Sequence, residues 1–131
     1  MNIAIMAHDS KKELMVQFCI AYCGILAGHN ICATNATGRL VSEATGLPIT
    51  KYMSCRFGGN QQIGARIAYN ELDMVLFFAD GDESHAAEVS EIQRLCDKRN
   101  VPFASNVATA ELLILGLKDG YLDWRNINKT L

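Results

Sequence analysis

The sequence lacks the long apolar run that a membrane-spanning helix requires. No stretch of its 131 residues reaches the roughly 18 to 20 apolar residues that cross a bilayer. Basic residues are also missing ahead of the first apolar run, which starts at Asn2 and gives way to His8 and Asp9. Because a secretory signal peptide begins with a basic segment, we expect neither a signal peptide nor a membrane partner.

Paired cysteines and a surplus of positive charge are missing as well. The five cysteines include no Cys-x-x-Cys pair, and Cys19 and Cys23 have helical spacing within an apolar stretch. We therefore expect reduced core thiols, no metal centre and a cytoplasmic location. The net charge of −2, from 12 basic and 14 acidic residues, argues against a nucleic-acid polymer or an anionic membrane surface as partner.

The sequence also lacks the glycine-rich motifs that bind nucleotides. The chain has no Gly-x-Gly-x-x-Gly and no Walker A sequence, so neither a dinucleotide-binding nor a P-loop function is supported. What the chain does have is the composition of an ordinary globular protein, with 50% hydrophobic and 20% charged residues. This composition and length predict a single domain over residues 1–131.

Apolar segments alternate with helical patterns along the chain. Short apolar runs predict strands at 2–7, 31–34, 49–53, 74–78 and 101–104. Helical periodicity and capping residues predict helices from Lys11 (capped by Ser10) to Leu26, from Thr37 to about Ala44, and over 61–70, 86–99 and 108–118, with a short element in the tail. Five strands alternating with helices predict a three-layer α/β fold, in which a mainly parallel sheet carries helices on both faces.

Polar side chains follow each predicted strand, at the sheet edge where ligands bind in such folds. They are His8 and Asp9, Thr34 to Gly38, Ser54 to Asn60, Asp80 with His85, and Ser105 with Asn106. The start of a helix after Thr34, beside hydroxyls and Lys12, favours a bound phosphate. The alternative is that Thr37 only caps its helix. Gly58-Gly59 predicts a second anion nest, and we expect Asp9 and Asp80 to enter a cleft rather than open solvent.

Five motifs then occur in order along nearly the whole chain. They are His8-Asp9-x-x-Lys12, Thr34-x-x-Thr37-Gly38, Ala44-Thr45-Gly46, Gly58-Gly59-x-Gln61-Gln62-Ile63-Gly64-Ala65 and Ser105-Asn106-Val107-Ala108-Thr109-Ala110. Together they resemble the methylglyoxal synthase family. The resemblance implies a five-stranded parallel sheet, a homohexamer, and conversion of dihydroxyacetone phosphate to methylglyoxal and phosphate without metal or organic cofactor. Related domains serve other functions, so the fold alone does not fix the activity.

The resemblance also implies roles for individual residues. The phosphate would be held by Lys12, Thr34, Thr37, Gly38 and Ser54. Further candidates for phosphate binding in the same turns are Asn35, Ala36, Cys55 and Gly59. His8 and His85 would contact the oxygens of the substrate. A carboxylate directly after Gly58-Gly59 would take a proton from the carbon next to the carbonyl.

The chain departs from the family pattern at that carboxylate. Asn60 stands where Asp is expected, and an amide does not accept a proton near pH 7. Asn35-Ala36, Cys55-Arg56 and the shorter loop from Asp80 to Glu88, which has no proline, also differ. We expect a retained pocket that binds a phosphorylated small molecule or nucleotide, with its lyase chemistry impaired or lost.

Two alternatives remain open. The first is an active lyase that uses Asp9, Asp80 or Glu88 as base, and the second is a purely structural role in an assembly. A phosphate-release assay on the native chain and on an Asn60→Asp variant separates binding from catalysis. The tail residue Arg125 is a further candidate, for contact with the site of a neighbouring subunit.

Overall fold

The fold is described from a computed structural model, which covers residues 1–54 and 57–129. Five strands form one sheet in the order β3-β2-β1-β4-β5, and every neighbouring pair is parallel. The strands are β1 (Asn2–Ala7), β2 (Asn30–Ala33), β3 (Ile49–Lys51), β4 (Met74–Phe78) and β5 (Phe103–Ala104). The α/β fold with a parallel sheet, predicted from the sequence, is confirmed.

Helices cover both faces of the sheet. They are α1 (Lys12–Ala21), α2 (Cys23–Leu26), α3 (Asn35–Thr45), α4 (Gly59–Ala68), α5 (Ala86–Arg99), α6 (Val107–Lys118) and α7 (Trp124–Lys129). Successive side chains of β1 alternate between two cores. Ile3 and Ile5 pack with α1, α3 and α6, whereas Ala4 and Met6 pack with α4 and α5. This alternation explains why β1 reads as a continuous apolar run.

Predicted boundaries of β2, β3, β5, α4 and α6 move by one or two residues in the structure, and three further changes concern the helices that follow β1 and β2. Ser10 does not cap the first long helix, because a 3-10 turn (Asp9–Lys11) precedes α1. That helix also stops at Tyr22 instead of reaching Leu26, and the short α2 follows. Gly24, a weak helix former, is the second residue of α2, just after this interruption. The third helix begins at Asn35 rather than Thr37.

The cysteine prediction is confirmed for Cys19 and only half right for its neighbour. Cys19 is buried, whereas Cys23 is only partly buried. Burial raises the pKa of the Cys19 thiol to about 12, because the thiolate is poorly solvated in the apolar core. Cys19 therefore stays a protonated thiol at neutral pH.

The tail packs on its own chain, which overturns the suggestion that Arg125 reaches a neighbour. Its side chain is 3% exposed and donates from Nε to Oδ1 of Asp73 at 3.1 Å. The guanidinium also donates to the side-chain oxygen of Asn70 at 2.7 Å and to the carbonyl of Asn100 at 2.7 Å. Asp73 directly precedes β4, so this network lies at the amino-terminal edge of the sheet. Among the described residues, no helix has the length and apolar content to cross a membrane.

Candidate active site

His8, directly after β1, lies at the centre of the carboxyl edge of the sheet. Its backbone N–H donates to the Phe78 carbonyl at the end of β4 at 3.0 Å. Its ring atom Nδ1 accepts the backbone N–H of Asp80, also at 3.0 Å. An accepting Nδ1 carries no proton, so this bond assigns the ring proton of neutral His8 to Nε2.

The Nε2 atom of His8 is a buried hydrogen-bond donor that no described residue accepts. It is shielded from solvent and has no hydrogen-bond partner in residues 1–54 or 57–129, and the side chain as a whole is 10% exposed. Oε2 of Glu88 is 3.5 Å away, which is too long for a good hydrogen bond. Buried polar groups in folded proteins are nearly always paired, so this donor points to a ligand oxygen.

Asp80 and His85 form a close ion pair beside His8. Nδ1 of His85 lies 2.7 Å from Oδ2 of Asp80, and Oδ1 accepts the backbone N–H of Asp82 at 2.9 Å. The pKa of Asp80 is lowered, first by the hydrogen bond from the Asp82 backbone and then by the hydrogen bond to His85. The pKa of His85 is raised, chiefly by its hydrogen bond to Asp80. Asp80 thus faces the cluster, as expected, although its oxygens are already engaged.

Asn60 and Glu88 border the same groove between α4 and α5. The groove has a volume of about 420 Å³, and Gln61 and Glu91 also line it. The two positions come from separate helices, Asn60 from the first turn of α4 and Glu88 from the first turn of α5. The contact of Glu88 with His8 connects this groove to the histidine cluster.

The turn after β2 forms the second part of the edge. Thr34 is 4% exposed and occupies the N-cap position of α3, yet its side chain makes no capping hydrogen bond. Thr37 is 1% exposed, and its buried hydroxyl bonds to none of the residues that the structure describes. The interpretation of Thr37 as a mere helix cap is therefore wrong, because Thr37 lies inside the helix. Asn35 and Ala36 are the first two residues of α3, at the positive end of its dipole.

Asp9 and Lys12 pair with each other, and the cleft position expected for Asp9 is wrong. The Asp9 side chain is fully exposed, because it sits on the 3-10 turn that leads outward from β1. The Lys12 ammonium donates to Oδ1 of Asp9 at 2.7 Å and to the Ala7 carbonyl at 3.0 Å. The hydrogen bond from Lys12 is the main cause of a lowered pKa for Asp9.

The turn before α4 is fixed by two glycines. Gly58 has a φ of +99°, which an L side chain rarely adopts, and a Cβ on Gly59 would lie 2.0 Å from the Met53 carbonyl oxygen. The N–H of Gly59 donates to the Ser54 carbonyl at 2.9 Å. That donor is therefore used within the turn, which weakens the expectation of an anion nest. Cys55 and Arg56, named as candidates above, lie outside the described residues.

One positioning residue in this turn was missed by the sequence reasoning. Oε1 of Gln62 accepts the backbone N–H of Met53 at 2.8 Å. A side chain of α4 thereby fixes the arm of the turn that follows β3. The Gln61-Gln62 pair inside the most specific motif was the available signal. Ser54 is partly buried in this same arm.

His8, Asp80 and His85 are also the set among the described residues whose donor atoms could surround a metal ion. Their atoms lie within 4.8 Å of one another. Nδ1 of His8 is engaged by a backbone N–H, and the other two side chains bind each other. These contacts fit a hydrogen-bonding cluster better than a metal centre, since a metal would have to break them.

Similarity to known proteins defines the class to which this chain belongs. The family model described as the MGS-like domain matches residues 15–105, and the chain belongs to this family. The chain is similar to the methylglyoxal synthases of two bacteria. It is 54% identical over 129 residues to that of Caldicellulosiruptor saccharolyticus, covering 97% of this chain and 92% of the relative. It is 51% identical over 131 residues to that of Lysinibacillus sphaericus, covering 98% of both.

A solved structure agrees with this assignment. The crystal structure of methylglyoxal synthase from Elizabethkingia anophelis NUHP1 superimposes with a TM-score of 0.80 at 38% sequence identity. The match covers 86% of this chain and 76% of that one. The similarity therefore extends to the arrangement of the sheet and the helices around it.

Proposed function

We propose that the chain binds a small phosphorylated carbonyl compound, of the class of dihydroxyacetone phosphate, at the carboxyl edge of its sheet. The observation that carries this proposal is a pair of buried polar atoms, Nε2 of His8 and Oγ1 of Thr37, that have no hydrogen-bond partner in the described part of the chain. Leaving such atoms unpaired costs about 1–3 kcal/mol each. A ligand with oxygens at both places would recover that free energy.

We propose that the two atoms bind different parts of the ligand, Thr37 the phosphate and His8 the carbonyl group. Thr37 lies in the first turn of α3, where backbone N–H groups and the helix dipole favour a phosphate. Thr34 and Ser54 extend this proposed cradle, whereas the Gly38 N–H donates to the Thr34 carbonyl within α3 and is not available to the ligand. The Nε2–H of His8 would donate to the carbonyl oxygen, and His85, which Asp80 keeps cationic to higher pH, would bind a second oxygen.

The position at which the family pattern places the proton acceptor of a lyase holds an amide in this chain. In the reaction, a base removes a proton from the carbon next to the carbonyl, the enediolate is held by hydrogen-bond donors, and the carbon–oxygen bond to phosphate then breaks. Asn60 stands where the family pattern has Asp, and its amide does not accept a proton near neutral pH. We therefore propose binding with impaired proton abstraction.

A second candidate function, an active methylglyoxal synthase, is favoured by Glu88. Its carboxylate borders the same groove as Asn60 and approaches His8 to 3.5 Å. The high identity to proteins named methylglyoxal synthase also favours activity. Of the three carboxylates proposed as bases, Asp9 is paired with Lys12 in solvent and Asp80 is bonded to His85.

Phosphate release from dihydroxyacetone phosphate separates the two functions. We expect the native chain to bind the compound in a calorimetric titration and to release phosphate slowly. We expect Asn60→Asp to accelerate release by at least about 100-fold, the typical contribution of a general base. Asn126→Asp, on the exposed tail helix, adds the same charge elsewhere and is the control.

Rapid turnover by the native chain that Glu88→Gln abolishes would establish the second function instead. A native chain with no affinity for phosphate compounds contradicts both. We further propose a cytoplasmic homohexamer, for which light scattering on the purified protein would give about six times the chain mass of 14.4 kDa.

A further inference from the structure

Lys51 ends β3 beside the turn in which we propose that the phosphate binds. The strand register pairs Lys51 with Ala33, the residue before Thr34. The backbone N–H of the next residue, Tyr52, donates to the Ala33 carbonyl at 2.8 Å. Parallel pairing therefore fixes the backbone of Lys51 next to the start of the turn, on the side away from β1.

The side chain of Lys51 packs on the first turn of α3. A Cβ atom added to Gly38 would lie 3.0 Å from Cγ of Lys51, so the aliphatic stem lies against Gly38. The Gly38 N–H donates to the Thr34 carbonyl at 2.8 Å, which closes the first turn of the helix. The lysine stem is thereby held within one helical turn of the buried Thr37 hydroxyl.

The two lysines that flank this turn differ in how far their charge is compensated. Lys12, on the β1 side, is bonded to the Asp9 carboxylate and the Ala7 carbonyl. Lys51, on the β3 side, is exposed and forms no ion pair with any other residue in 1–54 or 57–129. A phosphate dianion therefore finds more uncompensated positive charge on the β3 side.

From these contacts we infer that Lys51 is a second phosphate-binding cation, which closes the cradle from the side opposite Lys12. The inference rests on the proposed phosphate site and adds a residue to it. It does not depend on whether Asn60 impairs proton abstraction, because phosphate binding and proton abstraction use different parts of the sheet edge. Stem packing on Gly38 reduces the rotamer entropy that a free surface lysine would lose on binding.

A charge deletion that keeps the stem tests the inference. Lys51→Met preserves an aliphatic chain on Gly38 and removes the ammonium group. The control is Lys98→Met, which makes the same change at an exposed position in the last turn of α5. Calorimetric titration with inorganic phosphate at low ionic strength should show affinity reduced about tenfold by Lys51→Met. The control should bind like the native chain, and Lys51→Arg should retain most of the affinity.

Each result bears on a separate part of the proposal. Equal phosphate affinity of the native chain and Lys51→Met overturns the role of Lys51 and leaves the phosphate site standing. If the native chain does not bind phosphate at millimolar concentrations, the site and the role of Lys51 both fail. Added salt should shrink the difference between the native chain and Lys51→Met. A difference that persists in high salt would mean that lost packing, rather than lost charge, weakens binding, and it would also overturn the inference.

Discussion

Asp80 and His85 are joined by a 2.7 Å contact between Oδ2 and Nδ1, at the edge of the sheet where β4 ends. The pKa of His85 is raised above its ordinary value of 6.5, mainly by this bond, and the pKa of Asp80 lies below its ordinary 3.8. Between these two limits the carboxylate is ionised and the imidazole is protonated. In this pH range both side chains are charged, and the attraction between them is greatest.

The pair should make His85 titrate at elevated pH. Its stabilising effect is complete below pH 6.5 and is lost as pH rises through the raised pKa of His85. At the acid end, it is lost as pH falls through the lowered pKa of Asp80. NMR titration of the ring protons should show the pKa of His85 dropping toward 6.5 in Asp80→Asn. An unchanged titration in that variant would contradict the pairing.

Thr37→Val should separate stability from ligand binding. Removing a buried hydroxyl that has no partner should leave the free energy of unfolding equal to that of the native chain, or raise it by about 1 kcal/mol. Affinity for inorganic phosphate should fall. Denaturant unfolding and calorimetry measure the two effects.

Thr45→Val is the matched control for that experiment. Oγ1 of Thr45 donates to the Val41 carbonyl at 2.7 Å and accepts the Leu47 N–H at 3.2 Å. Removing this hydroxyl should lower the free energy of unfolding by about 1 kcal/mol without changing phosphate affinity. Equal losses of stability at Thr37 and Thr45 would show that the Thr37 hydroxyl is satisfied in the free protein.

Gly59→Ala should damage the turn that carries Asn60. The added methyl group would meet the Met53 carbonyl at 2.0 Å, so the backbone has to move. We expect a loss of about 1–3 kcal/mol in the free energy of unfolding, typical of overpacking. Gly24→Ala, which has open space around the new atom, should be neutral or stabilising. Chemical denaturation of both variants checks the contrast, and equal stabilities would argue against the close approach.

Arg125→Met should destabilise the fold by about 3–5 kcal/mol, because it leaves the buried Asp73 carboxylate without its cation. The same change at Arg94, which is exposed on α5, should have little effect. Combining Arg125→Met with Asp73→Asn should recover part of the loss. Thermal and denaturant unfolding test the series, and a mild effect of Arg125→Met would mean that water reaches Asp73.

The sequence predicted the sheet well because buried parallel strands are short apolar runs bounded by polar turns. The predicted bounds of β4 and α5 match the structure, since Asp80 and Asn100 end uninterrupted patterns. Helix starts were harder to place. Nothing in the Asp9–Lys11 sequence distinguishes a 3-10 turn from the first turn of α1, because the two differ only in whether an N–H bonds to the carbonyl three or four residues back.

The candidate site was predictable only as a collection of residues at one edge. The pattern of strands and the family motifs brought together His8, Thr37, Asp80 and Glu88. Their pairing depends on tertiary contacts, such as the Asp80 N–H that fixes the tautomer of His8. For the same reason Asp9 was misplaced, and Arg125 was assigned outward although its partners lie up to 55 residues away in the chain.

The Arg125 network gives the two rims of the sheet different tolerances to chemical change. At the rim where Asp73 lies, a buried charge depends on one guanidinium, so few substitutions are acceptable there. At the opposite rim, Nε2 of His8 and Oγ1 of Thr37 bond to no residue that the structure describes, so removing either donor atom alone breaks no bond of the free protein. Ligand-binding side chains at that rim can therefore diverge while the scaffold persists, which lets a chain acquire a new ligand before it loses its fold.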